Sequence, residues 1–332
     1  MNAKKKSKSE KEKRKKESPE KAKKEKEKKE EEEKKRLESL KKAGDIAKKV
    51  KEFIKPKIQI GEKVLDIVEA AELKIDELDG KCAFPVNVSI NNIAAHYTSP
   101  AKADELTITE NDLVKVDLGV HIEGYIVDTA FSVNFNDDES LENIITATET
   151  ALDAAKMMAK PKAHTKTIGK KIEEIIKGFE YTPIKELGGH QVERWMVHST
   201  KQLPNFGTQG GALMEEGEVF AVEIFASTGE GSVHNTNSAY IYEMNPYAGR
   251  VPLRRKTSKK ILGLIKKNYK TLPFAERWLA KELKIGVAFG LQELVKQNKV
   301  KAHYVLSEQK DAFVAQSEET ILITEDGYEQ LT

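Results

Sequence analysis

The sequence predicts a mixed α/β protein, because stretches with the two-residue period of a strand alternate with stretches that have the 3.6-residue period of a helix. Leu113–Phe131, LVKVDLGVHIEGYIVDTAF, contains two strand-like runs around a short polar break. Helical patterns follow at about 140–159 and 165–177, and EVFAVEIFAS and AFVAQSEETILIT are strand-like again. At 332 residues the chain is long enough for one large α/β domain with appendages, or for two ordinary domains.

The composition favours a protein of a reducing compartment. The single cysteine, Cys82, cannot form an internal disulfide and is expected to behave as a small hydrophobic residue. No stretch approaches the ~18 apolar residues that a membrane span needs, and the N-terminus lacks the apolar core of a signal peptide. We therefore expect a soluble, cytoplasmic protein without a membrane partner.

Charge is distributed unevenly, although the formal net charge is only +2. Residues 1–36 hold 18 Lys and Arg against 10 Glu, and residues 251–304 hold 14 against 3, so the rest of the chain is acidic. An acidic body suits cations and positively charged substrate ends, whereas basic segments suit polyanions. Because residues 1–36 lack an apolar stripe, we expect a disordered or transiently helical tail there, with an electrostatic contact to RNA or the ribosome as the functional alternative.

The domain that follows the tail is predicted to begin at Leu37 with two helices. Apolar residues recur at helical spacing up to Ile54, and Pro56 ends this first pattern. A second helix fits Glu62–Leu78. His96 lies in the mostly apolar segment that comes next, where it is either a packed core imidazole or part of a site.

The two aspartates of the central hairpin are the first candidates for a metal site. If Ile122 and Glu123 form a two-residue loop, Asp117 and Asp128 stand directly opposite each other, with Cβ atoms about 4.5–5.5 Å apart. Two ionised carboxylates at that distance would repel unless a proton or a cation lay between them. Gly119 on the same face would leave room beside the pair. A longer loop is the alternative; it would move the register by one residue and turn one aspartate to solvent.

Further candidates come from strands and from a histidine-containing segment. His190 and His198 are eight residues apart and would share one face of a strand. Glu223 lies among apolar residues on one side of a predicted strand, and either Glu318 or Glu319 must face inward from the last strand. A buried acid needs a partner, which argues for a site.

The candidate ligands are acidic side chains with one imidazole: Asp117, Asp128, His190, Glu223 and Glu318. Such a set suits two divalent cations such as Mn, Fe, Co or Zn. Spacing alone does not select these five from the 54 acidic residues of the chain.

The sequence resembles the type 2 methionine aminopeptidases, the eukaryotic and archaeal class of the pita-bread metallopeptidases. The resemblance covers about residues 38–332 and is carried by AFPVNVSINNIAAHYTS, VKVDLGVHIEGYIVDTAF, GGHQVERWMVH, MEEGEVFAVEIFASTGEG, TLPFAERWL and VAQSEETI. It implies one pita-bread domain over 37–332, with two pseudo-symmetric halves and a helical insertion subdomain at about 245–305. The 95-residue separation of Glu223 and Glu318 agrees with an insertion between these ligands.

The resemblance also implies the roles of individual residues. All five candidate ligands would hold two metal ions, with Asp128 and Glu318 bridging, and a water between the metals would attack the carbonyl after an N-terminal Met. Glu223 would be the general base. His198 would contact the substrate carbonyl, and His96 would stabilise the tetrahedral intermediate. The walls of the Met pocket would be formed by Phe84, Phe225 and Tyr304.

The partner implied is a nascent polypeptide with an N-terminal Met and a small second residue. The basic charge of the tail and of the insertion favours a contact with the ribosome or ribosomal RNA as the alternative to a simply solvated surface, and we expect a monomer. The sequence reads AQSEET where the family usually has AQFEHT, so Ser317 and Glu319 differ and an additional carboxylate is expected near the metals. One alternative is an Xaa-Pro peptidase of the same fold. The AAHYT segment and the long insertion disfavour this alternative. The other alternative is a non-catalytic, growth-associated relative that binds ribosomes or RNA; such relatives have lost ligands, whereas this chain keeps all five.

Overall fold

The computed structural model describes residues 19–102, 105–249, 252–283 and 285–332, with side chains described from residue 23 onward. The mixed α/β prediction is confirmed, and both helices predicted at 140–159 and 165–177 are present within one residue of each end. A 3₁₀ turn follows the first helix and a π-helical turn follows the fifth. The α-helices of the described residues are α1 Pro19–Ile54, α2 Val64–Glu77, α3 Glu139–Met158, α4 Thr165–Gly178, α5 Lys256–Leu264, α6 Glu276–Leu283 and α7 Val287–Lys296.

The strands form a ten-stranded sheet and a four-stranded sheet. The strands are β1 Lys81–Cys82, β2 Asn87–Ile90, β3 Ile93–Ala95, β4 Leu113–Ile122, β5 Tyr125–Asn134, β6 Thr182–Pro183, β7 Gly188–Val192, β8 Gln202–Pro204, β9 Val219–Ser227, β10 His234–Met244, β11 Phe274–Ala275, β12 Val300–Ser307, β13 Val314–Ile323 and β14 Tyr328–Gln330. The larger sheet has the order β1-β4-β5-β13-β9-β7-β8, and β2, β6 and β14 pair at its sides. The smaller sheet has the order β11-β10-β12-β3.

Helix α1 begins earlier than the sequence predicts. It starts at Pro19, so residues 19–36 of the predicted tail are helical, and its charged side chains form i,i+4 pairs such as Lys23 with Glu27 at 3.8 Å. Residues 1–18, which the tail prediction also covers, lie outside the described residues. The chain divides into two compact units between Ser39 and Leu40.

The second unit contains the apolar stripe predicted for α1. All six of its members are buried: Leu40, Ala43, Ile46, Ala47, Val50 and Ile54. Within the described part of the chain, no helix combines the length and the apolar character that crossing a membrane requires.

Strands β4 and β5 form the predicted hairpin, but the predicted turn is wrong. Ile122 pairs with Tyr125, so the two turn residues are Glu123 and Gly124. Both have positive φ, 52° and 88°, as a type I′ turn requires. Glycine adopts this conformation at no steric cost, which is why the turn includes Gly124 and the register moves by two residues.

The shifted register moves the two aspartates apart along the hairpin but leaves both on the same face of the sheet. Asp128 stands opposite Gly119, and Asp117 stands opposite Ala130. Because the shift is even, both carboxylates remain on one side, and the alternative in which one aspartate faces solvent is also wrong. Gly119 leaves no open space, since a Cβ there would lie 2.3 Å from the ring of Phe84.

Helices α3 and α4 cover one face of the larger sheet. The core between them includes Phe220, Val222 and Ile224 of β9 together with Ile144 and Ile168 of the helices. Successive residues of a strand point to opposite faces, so the odd-numbered residues of β9 face away from these helices. The site is therefore expected on the face that α3 and α4 leave uncovered.

The segment between β10 and β12 contains α5, α6 and α7 and has its own apolar cluster, which includes Ile261, Leu279 and Leu291. A buried ion pair joins it to α2, where Arg277 contacts Glu72. The carboxylate of Glu72 also accepts a hydrogen bond from Trp278 Nε1 at 2.9 Å. The Arg-Trp dipeptide of TLPFAERWL therefore anchors this segment to the rest of the domain.

Gly44 in α1 gives a stability prediction of unusual sign. Replacing a glycine inside a helix by alanine normally stabilises the helix by about 1 kcal/mol. At position 44, however, a Cβ would lie 2.2 Å from the backbone carbonyl oxygen of Leu331. We expect Gly44→Ala to lower the free energy of unfolding by about 1–3 kcal/mol, as measured by urea denaturation.

The matched control is Gly263→Ala in α5, where nothing beyond the adjacent residues and the backbone of the helix itself lies within 4 Å of the added Cβ. It is expected to leave stability unchanged or raise it by up to about 1 kcal/mol. Equal effects of the two substitutions would contradict the close contact at Leu331.

Candidate metal centre

Three of the predicted ligands lie in one row across the larger sheet. Asp117 of β4 and Glu318 of β13 pair with Ala130 from its two sides, and Glu223 of β9 pairs with Glu318. Residues in register on neighbouring strands point to the same face. Three carboxylates from three strands are therefore brought together, although 201 residues separate the first from the last.

Asp128 and His190 occupy the next row of the same face. The backbone N–H of Asp128 donates to Thr320 Oγ1 at 2.7 Å, and the pairing continues from Thr320 to Ala221 and from Ala221 to His190. Thr320 and Ala221 are each two residues from a glutamate of the first row, so the two rows are adjacent.

The ligand atoms form two overlapping groups. Atoms of Asp128, His190 and Glu318 lie within 4.8 Å of one another, and so do atoms of Asp117, Glu223 and Glu318. His190 Nε2 is 3.9 Å from Asp128 Oδ2. Glu318 belongs to both groups, which is the arrangement that a shared carboxylate between two cations requires.

Burial and mutual repulsion disfavour the charged state of these carboxylates. Burial raises the pKa of Asp117 to about 7. Burial and, after it, the neighbouring carboxylates raise the pKa values of Asp128, Glu223 and Glu318 well above their ordinary range. Burial also lowers the pKa of His190, so its ring is neutral and can act as a ligand.

The hydrogen-bonding state of the cluster fits a bound cation. Among the described residues, no donor reaches the buried atoms Asp117 Oδ1, Asp128 Oδ1, or Glu318 Oε1 and Oε2. Buried polar atoms are normally paired, and a divalent cation would satisfy these oxygens and offset their repulsion. The donor set, oxygen-rich with one imidazole, can therefore hold divalent metal.

Gln316 is a member of the site that the sequence analysis missed. It is buried on β13, two residues from Glu318, and its Nε2 donates to Glu223 Oε1 at 3.0 Å and to Asp117 Oδ2 at 3.3 Å. The strand period of AQSEET, which puts positions 316 and 318 on one face, was the available signal. Gln316 fixes the orientation of two carboxylates that face each other.

Gln316→Met is expected to weaken divalent metal binding by about 10- to 100-fold, because methionine has a similar length but donates no hydrogen bond to either carboxylate. Titration calorimetry with Mn²⁺ on the chelated protein measures this affinity. Gln292→Met, at an exposed position of α7, is the control. An affinity equal to that of the unmodified protein would show that the two carboxylates do not depend on Gln316.

His198 reaches the site by a route other than the predicted one. Strand β7 ends at Val192, so His198 does not lie on a strand shared with His190. The chain folds back, with the N–H of Ser199 donating to the carbonyl of Gln191 at 2.8 Å. This turn brings the centroids of the two imidazole rings to 4.1 Å. Burial lowers the pKa of His198 to about 4, so the ring is neutral.

His96 also faces the site, directly after β3. Its backbone has φ of 64°, an unfavourable value for a non-glycine residue that its surroundings enforce. Its Nδ1 lies 3.1 Å from the carbonyl oxygen of Tyr304, and burial followed by the charge of His303 lowers its pKa to about 4. Since a carbonyl only accepts, Nδ1 carries the hydrogen and Nε2 is the acceptor.

Two connected cavities open onto the cluster. The inner one, about 70 Å³, is lined by metal-ligand candidates and by Phe84, His96 and Pro273. The outer vestibule, about 680 Å³, shares His96, His198 and Glu223 with it. A substrate can therefore reach the carboxylates from outside through the vestibule.

Of the three residues expected to form the walls of the Met pocket, only Phe84 lines the inner cavity. Phe225 is fully buried and packs with Ala94 of β3, which covers it. Tyr304 is 41% exposed, and since His303 faces the cavity, its neighbour in the strand faces away. Tyr304 contributes its backbone carbonyl instead of its ring.

The two departures from the family pattern on β13 have partners on α3. Glu319 points to the helix side of the sheet and forms an ion pair with Lys156. The prediction of an additional carboxylate near the metals is therefore wrong. Adjacent residues of a strand face opposite ways, and Glu318 already faces the site. Ser317 Oγ lies 2.7 Å from Thr148 Oγ1, also on the helix side.

A cluster of carboxylates and one imidazole on a sheet, at the base of an open cavity, can hold divalent metal and admit a substrate, as the site of a metal-dependent hydrolase must. The particular family follows from comparison with known proteins. The chain belongs to metallopeptidase family M24, whose sequence profile matches residues 38–325.

Two relatives illustrate the similarity. A methionine aminopeptidase from Thermococcus kodakarensis is 41% identical over 294 residues, which are 87% of this chain and 97% of that protein. Methionine aminopeptidase 2 from Verticillium alfalfae is 34% identical over 312 residues, which are 86% of this chain and 69% of that protein.

Solved structures show the same fold at lower identity. A thermophilic Arx1 matches with a TM-score of 0.79 and 21% identity, over 89% of this chain and 90% of that one. A methionine aminopeptidase from Thermotoga maritima matches with a TM-score of 0.65 and 22% identity, over 89% of this chain and 96% of that one. These matches confirm the predicted pita-bread fold.

Proposed function

We propose that this protein is a methionine aminopeptidase that removes the N-terminal methionine from nascent polypeptides when the second residue is small. The observation that carries the proposal is the pair of ligand groups that share Glu318 at the base of an accessible cavity. All five candidate ligands belong to these two groups, and His96 and His198 line the inner cavity beside them. We further propose that Asp117, Asp128, His190, Glu223 and Glu318 would hold two divalent ions, with Asp128 and Glu318 as the ligands that both ions would use.

Divalent cations held by these ligands would supply an activated water and would polarise the substrate carbonyl. Glu223 would accept the proton of the attacking water. Gln316 Nε2 donates a hydrogen bond to one oxygen of Glu223 and holds the carboxylate in place for this role.

The two neutral histidines would bind the scissile peptide unit. His96 presents Nε2 as an acceptor, because its Nδ1–H donates to Tyr304, and can therefore receive the N–H of the scissile amide. His198 lies against His190 and lines both cavities, where its ring can reach the carbonyl oxygen of the same peptide unit. Phe84 gives the inner cavity an apolar wall for the methionine side chain.

The experiment that tests the proposal compares three peptides on chelated protein reloaded with Mn, Fe, Co or Zn. Met-Ala-Ser should release methionine in a metal-dependent reaction, whereas Met-Lys-Ser and an Xaa-Pro peptide should not be cleaved. Cleavage of the Xaa-Pro peptide instead would identify a prolidase-type activity. No release by folded protein with any metal would favour the non-catalytic ribosome-binding relative.

A contact with ribosomal RNA through the charged tail and the inserted segment is the second part of the proposal, for a monomeric protein of the cytoplasm. Exposed basic side chains on and beside α5 support it: Arg254, Arg255, Lys259, Lys260, Lys266 and Lys267. Contacts with phosphates weaken as salt rises. Protein lacking residues 1–36 should leave the ribosome fraction at lower salt than the full chain, and identical salt profiles would rule the tail out.

A further inference from the structure

One polar pair at the mouth of the site has no part in the proposed catalytic steps. In the four-stranded sheet, Ile241 pairs with His303 and Glu243 pairs with Lys301, so these side chains project from one face of β10 and β12. His303 lines both the inner cavity and the vestibule, and Glu243 lines the vestibule. This face forms a wall beyond the carboxylate cluster.

A hydrogen bond orients the ring of His303. Its Nε2 lies 3.1 Å from Glu243 Oε2, and because a carboxylate only accepts, Nε2 carries the hydrogen. In the neutral ring Nδ1 is then a hydrogen-bond acceptor. The ring also packs edge-on against His96, with centroids 5.6 Å apart. The side chains of His303 and Glu243 are 23% and 28% exposed, so both can be reached from the vestibule.

We propose that His303, oriented by Glu243, binds the main chain of the substrate beyond the scissile bond, with Nδ1 accepting a backbone N–H. The inference rests on the proposed function. A peptide whose first residue lies at the carboxylates must pass His96 and then follow the vestibule, where His303 is the next ring. A backbone N–H is present in nearly every polypeptide, so this contact recognises a peptide without selecting its side chains.

The test compares two substrates that share the methionyl group. Met-Ala-Ser has backbone beyond the scissile bond, whereas methionyl-7-amido-4-methylcoumarin has none. His303→Phe keeps a ring against His96 but loses the polar nitrogens, and Glu243→Gln removes the carboxylate that orients His303. Both variants should lower kcat/KM for Met-Ala-Ser by about 5- to 20-fold, mainly through KM, and leave the coumarin substrate within twofold of wild type. His234→Phe, at an exposed histidine of β10, is the control and should change neither substrate.

The ratio of the two substrates separates the outcomes. An equal loss on both would show that His303 acts through His96 or the fold, and no loss on either would show that it does not touch the peptide; each result overturns the subsite. Cleavage of neither substrate by the wild-type protein would overturn the proposed function itself and the subsite with it.

Discussion

Glu223→Gln is expected to lower kcat for Met-Ala-Ser by at least about 10²- to 10⁴-fold, the usual contribution of a general base. The loss should reach the upper end, because Glu223 is also in the carboxylate group formed with Asp117 and Glu318. The amide has the size of the carboxylate and its oxygen can still accept the hydrogen bond from Gln316, so the fold should be retained. Single-turnover kinetics measure the rate of the chemical step, and circular dichroism shows whether the fold is retained.

The control for this substitution is Glu230→Gln, an exposed glutamate in the loop that follows the same strand. It should leave kcat and the thermal midpoint unchanged, since surface substitutions usually have small effects. Turnover by Glu223→Gln within tenfold of wild type would show that another group takes the proton.

Glu318→Gln and Glu319→Gln are adjacent substitutions with opposite expected effects on stability. In metal-free protein the pKa of Glu318 is raised by burial and by its carboxylate neighbours above the unfolded value of about 4.3. Folding then favours its protonated form, so Glu318 lowers the stability of the metal-free protein progressively as pH rises from about 4.3 towards the raised pKa of the folded state. Glu318→Gln should therefore stabilise metal-free protein by about 1–3 kcal/mol while removing the stabilisation that added Mn²⁺ provides.

Glu319→Gln should instead destabilise the protein, by about 1–3 kcal/mol, because it removes the negative charge that pairs with the buried ammonium of Lys156. Metal affinity should be retained, since Glu319 faces α3. Urea denaturation of chelated and Mn²⁺-loaded forms measures both effects. Retained metal stabilisation in Glu318→Gln would place the shared ligand elsewhere, and lost metal stabilisation in Glu319→Gln would contradict its orientation.

Sequence patterns predict the elements of this fold better than their alignment with one another. The strands that contain Glu223 and Glu318 follow from the two-residue period, and the helices α3 and α4 follow from the 3.6-residue period. The hairpin register depends on which two residues form the turn. The sequence predicted Ile122 and Glu123, but the turn uses Glu123 and Gly124, because glycine adopts a positive φ without steric cost. Asp117 and Asp128 remain on one face of the sheet only because the shift in register is even.

The missed members of the site depend on contacts between distant segments. The strand period puts Gln316 on the face of Glu318, but the carboxylates that Gln316 contacts lie on strands far apart in sequence. His303 likewise depends on the pairing of β10 with β12. His198 depends on a reversal of the chain after β7. The strand period shows that Glu318 and Glu319 face opposite sides of the sheet, but it does not show which side the helices cover. The apolar residues of β9 that pack on α3 identify the covered side.

The contacts between α3 and the outer face of β13 constrain how this sequence can change. Thr148 donates to the carbonyl of Ile145, so Ser317 is the donor in their hydrogen bond, and Lys156 two turns later meets Glu319. Two positions of α3, 148 and 156, thus each contact one position of β13, 317 and 319. Chimeras that import the usual AQFEHT strand from a relative should fold well only when residues 148 and 156 are exchanged with it, so these positions are expected to co-vary.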